Sequence, residues 1–221
     1  MKLNDLPVRT QDYLKVVWDL QERNGHREVA VGEIAERMGQ KMSTTSEAIK
    51  KLSAQGLIDR QPYSGVTLSV PGRQLALEMA RRHRLLETFL VTSLGYTWDE
   101  VHEEADALEH ACSEKMIDRL DALLGFPDRD PHGDPIPRKD GRVADLGTFT
   151  LADVLPGHHV TVERFCDEDS ELLRTMAAQE VGVGTSLHVT SNKDGEISAS
   201  TTTQTVVLPR TAARAITVRM T

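Results

Sequence analysis

The stretch K-M-S-T-T-S-E-A-I-K-K-L-S-A-Q-G-L-I-D-R, residues 41–60, decides the fold. Ala48, Ile49 and Leu52 share one helical face, and Gly56 follows as a stop. Thr44 and Glu47 have the spacing of a capping box. Upstream, V-A-V-G-E-I-A-E-R-M-G (29–39) predicts a short helix ended by Gly39. Before it, residues 10–23 place Leu14, Val17, Trp18 and Leu20 at helical spacing, with Gly25 as the stop. Downstream, L-I-D-R-Q-P-Y, a Ser64-Gly65 turn and V-T-L-S-V predict a hairpin. Helix, helix, turn, helix and two-stranded wing is the order of a winged helix-turn-helix.

The third helix carries the argument for DNA. Its first turn offers Ser43, Thr44, Thr45 and Ser46, short side chains that can approach base edges or phosphates. Lys41, Lys50 and Lys51 can meet phosphates, and a helix N-terminus itself favours anions. Capping alone would also explain the Ser/Thr run, and winged helices also serve as protein-interaction modules. The ordered run with its wing favours DNA, with Lys41, Ser43, Thr44, Thr45, Glu47 and Lys50 as the candidate contacts.

The net charge of −8 argues at first against a polyanionic partner. Its distribution reverses that. Residues 1–75 carry 11 Lys+Arg against 9 Asp+Glu, a net of +2. Residues 76–140 carry 8 against 15, a net of −7, and residues 141–221 carry 7 against 10, a net of −3. The acid is concentrated in the middle of the chain. No apolar run reaches the length of a membrane span, and the start M-K-L-N-D-L-P-V has no apolar signal core, so a cytoplasmic protein is expected. Cys112 and Cys166 form no C-x-x-C and read as thiols in a reducing compartment.

In the middle third, a long helix is predicted after Pro71-Gly72, ending at Gly95, with His83 and Glu87 four residues apart on one face. A second helix is predicted from Thr97, with Glu100 completing a capping box. It runs into V-H-E-E-A-D-A-L-E-H (101–110). At about 100° per residue, His102, Asp106, Glu109 and His110 share one side. Carboxylates and imidazoles on one stripe suit a divalent cation, and an acidic solvent face has the same composition. H-E-E-A-D lacks the H-E-x-x-H spacing of zinc proteases, and no G-x-S-x-G is present. A metal-dependent hydrolase would need a base outside the ligand set, and none is found.

The combination H-R-L-L-E (83–87), V-H-E-E-A-D-A-L-E-H (101–110) and P-H-G-D-P-I-P (131–137), behind a winged helix, closely resembles the diphtheria-toxin-repressor family of metal-activated bacterial transcription regulators. The resemblance covers essentially the whole chain. It implies two metal sites per subunit: a primary one from Asp12, Asp106, Glu109 and His110, and an ancillary one from His83, Glu87 and His102. In members with a C-terminal domain, that domain adds ligands to the ancillary site. D-E-D-S-E-L-L-R matches there and points to Glu168 and Glu171, with Asp169 as a rival. The iron-responsive branch has Met at the position of Asp12 and Cys at that of Asp106. With hard carboxylates at both positions, this chain resembles the manganese-responsive, manganese-transport-regulator branch. Shorter manganese regulators carry Glu three residues after the first-helix Asp and use it to bridge two ions. This chain has Lys15, which implies two separated sites.

Residues 125–147, rich in Pro, Gly and Asp, read as a structured connector and linker. Strand-like runs follow: V-T-V-E-R-F, T-S-L-H-V-T, I-S-A-S, T-V-V-L and I-T-V-R-M. A short helix, E-L-L-R-T-M-A-A-Q, lies between the first two, and Asn192 to Gly195 makes a turn. His158 and His159 follow Pro-Gly and read as surface residues. The expected architecture is mainly α with a small β domain. It comprises a winged helix-turn-helix (1–73), a helical metal-binding and dimerisation domain (74–140), and an SH3-like, FeoA-like β-barrel (141–221). The expected function is a homodimeric Mn²⁺-activated repressor of metal-uptake genes, binding a palindromic double-stranded operator. The same fold answering to Fe²⁺ or another divalent transition metal is the alternative. In either case the cation is expected to relieve carboxylate repulsion and tie a loosely held first helix to the ligands behind it.

Overall fold

The computed structural model describes residues 1–60, 65–144, 147, 149–167 and 169–221. Ser64 of the expected wing turn and the candidate ligand Glu168 lie outside the described residues. The chain divides into two compact units. One comprises Met1–Leu85, Ala107–Phe126 and Ile136–Leu146, and the other Leu86–Asp106, Pro127–Pro135 and Gly147–Thr221.

In the first unit, α1 (Val8–Arg23), α2 (Val31–Arg37) and α3 (Met42–Ala54) precede an antiparallel pair, β1 (Ile58–Arg60) and β2 (Val66–Leu68), in which Asp59 faces Thr67. Leu14, Val17, Trp18, Ile34, Ile49, Leu57 and Ile58 are all buried in one core. Each such side chain contributes about 1.5–3 kcal/mol on burial. Trp18 lies under the Arg73 guanidinium, 5.0 Å from the ring centre. Arg84 and Glu22, both buried, pair at 2.5 Å. The expected Thr44–Glu47 capping box does not form. The Thr45 amide already bonds the Lys41 carbonyl at 3.1 Å, so α3 begins at Met42 and Thr44 lies inside it.

The long helix α4 (Val70–Leu94) starts before Pro71-Gly72 rather than after it. Pro71 is tolerated because first-turn amides have no helical acceptor. Ser69 caps the helix, its Oγ accepting from the Gly72 amide at 3.1 Å. Thr97 and Glu100 do pair, at 2.7 Å through the threonine hydroxyl, but within a turn, and α5 runs Val101–Glu109. α6 spans Glu114–Leu123, capped by Ser113.

The second unit holds an antiparallel five-stranded sheet in the order β6-β5-β4-β3-β7. Its strands are β3 (His159–Phe165), β4 (Ser186–Lys193), β5 (Glu196–Ser200), β6 (Thr205–Pro209) and β7 (Ile216–Met220). α7 (Ser170–Ala178) and the short α8 (Arg210–Ala213) connect strands. Alternation places Val160, Val162, Leu187, Val189, Ile197, Ala199, Val206 and Leu208 in the core. The β4–β5 turn is Asp194-Gly195, with φ of 57° and 81°, the two positive angles a tight hairpin needs.

Candidate metal centre

In the first unit, Asp12 stands on α1, Glu109 ends α5, and His110 is the first residue past it. One donor atom from each of the three lies within 4.8 Å of the others. Asp12 Oδ1 is 3.0 Å from His110 Nε2, and Glu109 Oε1 is 3.5 Å from the same nitrogen. Gln11 orients the imidazole. Its amide nitrogen donates to the carbonyls of Leu3 and Leu6, at 3.2 and 2.9 Å, so its oxygen faces His110 Nδ1 at 3.0 Å. Nδ1 therefore donates to Gln11, and Nε2 is the nitrogen turned toward Asp12 and Glu109. Lys15 Nζ lies 2.9 Å from both Glu109 oxygens and 3.2 Å from His83 Nδ1, which is itself 2.8 Å from Glu109 Oε2. Burial alone would raise the Glu109 carboxyl, but the His83 hydrogen bond and the Lys15 charge hold it below its ordinary value. Asp12 is shifted upward, by burial above all, against the attraction of His110. Two carboxylates and one imidazole form a hard, oxygen-rich donor set that fits Mn²⁺ or a similar divalent ion.

In the second unit, His102 Nδ1 lies 3.3 Å from Glu87 Oε1 and 3.4 Å from Asp167 Oδ2. Its Nε2 lies 3.6 Å from Asp106. Glu87 also faces His132 Nδ1 at 3.7 Å, and Glu87, Asp130 and His132 form a fully buried cluster. Burial opposes a charge on His132, yet Glu87, Asp130 and Asp167 outweigh it and lift its pKa to about 10. His132 Nε2 donates to the Trp98 carbonyl at 2.6 Å.

The P-H-G-D-P segment is fastened to β3 by several bonds. Asp130 Oδ1 accepts the amides of His132 and Asp134, both at 2.9 Å. Arg164 Nε donates to Asp134 Oδ1 at 2.6 Å, and the Phe165 amide to the His132 carbonyl at 2.9 Å. Gly133 has φ of 98°, and a Cβ there would overlap the Glu163 carbonyl.

The stripe read on residues 101–110 is thus divided. α5 ends at Glu109, so His110 leaves the helix and turns toward Asp12. Asp106 is paired with His102 and half exposed. His83 meets Glu109, one helical turn before Glu87 on α4. Glu171 is exposed on α7, and Asp169 caps that helix through the Leu172 amide at 2.9 Å. Among the described residues of this segment, Asp167 is the one that reaches His102, one position before the expected Glu168. Asp130, His132 and the orienting Gln11 were also not singled out as site residues.

Lys41, which precedes α3, and Ser43, Thr44, Glu47 and Lys50 on it are exposed. Thr45 is not available to DNA: its side chain is fully buried, four residues before Ile49 on the core face. Its hydroxyl has no hydrogen-bond partner among the described residues.

Three family profiles match: an iron-dependent repressor N-terminal DNA-binding domain over residues 5–66, an iron-dependent repressor metal-binding and dimerisation domain over 70–138, and a FeoA domain over 149–220. The iron-dependent repressor IdeR of Mycobacterium leprae is 37% identical over 135 residues, 61% of this chain and 58% of that protein's length. The diphtheria toxin repressor of Corynebacterium diphtheriae is 32% identical over 158 residues, 72% of this chain and 67% of its own. Among solved structures, a manganese-dependent transcriptional repressor in complex with manganese is similar at a TM-score of 0.90 and 46% identity, covering 96% of this chain and all of that one. The manganese regulator SloR follows at 0.80 and 30%, over 96% and 98%. No helix among the described residues is long and apolar enough to cross a membrane.

Proposed function

The chain belongs to the iron-dependent repressor family, and from that membership we propose that it is a manganese-activated, DNA-binding transcriptional repressor acting as a homodimer on metal-uptake genes. The observation that carries this is the gathering of Asp12, Glu109 and His110, because Asp12 stands on the first helix of the DNA-binding segment. Bound there, a divalent cation supplies positive charge to the carboxylates. Glu87, His102 and Asp167 hold a second ion. Asp12 and His110 fix the position of α1, and with it the recognition helix α3. The dimer geometry that seats both α3 helices in successive major grooves is thereby selected. The five-stranded sheet is read as an SH3-like barrel of the FeoA type.

The iron-dependent names of the mycobacterial and corynebacterial relatives favour Fe²⁺ as the second reading. Carboxylates at positions 12 and 106 favour Mn²⁺. Metal-stripped protein titrated with each ion, against a DNA duplex selected from a random library in Mn²⁺, separates the two. Equal DNA binding with chelator, with Mn²⁺ and with Fe²⁺ would overturn both.

Two further results are expected. Lys41→Ala and Lys50→Ala each remove one phosphate contact per subunit. Each should therefore flatten the slope of log binding constant against log salt by about 2 per dimer, with little change in sequence preference. Separately, Met116, Leu120 and Leu123 share a face of α6, and Met116 and Leu123 are exposed. This face is proposed as part of the dimer contact. Leu123→Arg should weaken dimerisation about tenfold in a dilution series followed by sedimentation, by placing a charge in that contact.

A further inference from the structure

We infer that Lys15 is a tethered cation competing with the divalent metal for Glu109, and that it thereby sets the affinity of the Asp12–Glu109–His110 site. The inference rests on the metal-binding reading above. Lys15 stands three residues after Asp12 on α1, so both side chains leave the helix on the same side. Its ammonium contacts both Glu109 oxygens at 2.9 Å, and His83 takes a share of one of them at 2.8 Å. The carboxylate is almost wholly removed from solvent, and the lysine nearly so, with side-chain exposures of 2% and 12%.

A divalent ion ligated by Glu109 must therefore break or share this pair. Two cations on one buried carboxylate repel, and the low exposure of the pair limits solvent screening. The free energy of metal binding at this site is reduced by the ion pair given up. Lysine suits such a role, since its ammonium is a point charge on four flexible methylenes that can swing aside. The same pair keeps Glu109 neutralised, and α1 held to it, when metal is scarce. That modifies the expectation of a loosely held first helix. A lysine with a purely structural role would stabilise metal-stripped and metal-loaded protein alike and would leave affinity unchanged.

Lys15→Met keeps the length and removes the charge, while Lys15→Arg keeps the charge. Mn²⁺ binding to metal-stripped full-length protein would be followed by calorimetry and by the free-ion spin-resonance signal, and thermal midpoints taken with and without Mn²⁺. Lys15→Met is expected to melt several degrees lower than wild type without metal and to bind Mn²⁺ at this site at least tenfold more tightly. Its stabilisation by Mn²⁺ should be correspondingly larger. Lys15→Arg should stay close to wild type. Affinity in Lys15→Met at or below the wild-type value overturns the inference. Absence of Mn²⁺ binding to wild type overturns the reading of the site instead.

If Lys15→Met does not fold, wild-type protein still decides. The side-chain ¹⁵N resonance of Lys15, assigned by its loss in Lys15→Arg, should move on saturation with diamagnetic Cd²⁺. An unmoved resonance, with Cd²⁺ shown to bind, overturns the inference.

Discussion

Asp12→Ala should raise the Mn²⁺ concentration needed for half-maximal DNA binding at least ~100-fold, while the protein remains folded. In the proposed site the removed carboxylate is a direct donor, and even residues that only orient ligands are worth about 10–100-fold in affinity. Switching a two-state protein from about 1:99 to 99:1 needs a differential affinity of roughly 10⁴. A loss of ~100-fold in that difference leaves the metal-saturated variant near an even mixture, so maximal occupancy should fall as well as affinity. Stability should change little, because burial already disfavours the Asp12 charge and the folded protein holds it at a cost. Fluorescence anisotropy of a labelled duplex across Mn²⁺ concentration, with a melting curve alongside, measures both. A variant responding at the wild-type Mn²⁺ concentration would remove Asp12 from the ligand set.

The DNA-binding segment was legible because its cues are local. Leu14, Val17, Trp18, Ile49 and Leu52 declare one face of each helix, and Gly25, Gly39 and Gly56 end them with the positive φ that glycine tolerates. The five strands were legible by alternation. Whether β6 and β7 close into a barrel depends on long-range pairing, and no such pairing is present among the described residues. Capping was misread at Thr44 because Thr-x-x-Glu spacing recurs by chance on helices, whereas the amide of Thr45 selects Lys41. The same one-residue issue removed Thr45 from the DNA face. The polar run S-T-T-S hides that its third member points at the core.

The metal residues divide similarly. Asp12, Glu109 and His110 were placed by resemblance, and the structure brings their donor atoms together. The segment D-E-D-S-E offers four carboxylates in five positions. Only the path of the chain out of β3 decides that Asp167 reaches His102 while Asp169 caps α7. His132 lay in a motif that served to mark the family, and Asp130 directly before it. Their task, facing Glu87 from a loop fixed to β3, exists only in three dimensions.

That loop carries the last expectation. Arg164→Met should destabilise the second unit by about 3 kcal/mol, toward the lower end of the cost of breaking a buried ion pair. Arg164 and Asp134 are both buried, and their Nε–Oδ1 distance is 2.6 Å. Methionine fills the volume of the side-chain stem but leaves the Asp134 carboxylate without its guanidinium, in a site too dry to replace it fully. The strain then falls on residues 130–134, which hold His132 against Glu87, so the cation affinity of the Glu87–His102–Asp167 cluster should drop about tenfold, as for loss of a supporting contact. The Asp12–Glu109–His110 cluster lies in the other unit and should keep its affinity. The two tryptophans allow the effects to be separated. Trp18 is buried in the first unit, while Trp98 stands 6.4 Å from the His132 ring and edge-on to Phe165 in the second. In a Trp18→Phe background, the urea midpoint read from Trp98 should fall by roughly 1 M with Arg164→Met, taking a slope of about 3 kcal/mol per molar. In a Trp98→Phe background, the midpoint read from Trp18 should move far less. An unmoved Trp98 midpoint would show that Asp134 finds its counter-charge elsewhere, and that the P-H-G-D-P loop is held by its backbone bonds to β3 rather than by Arg164.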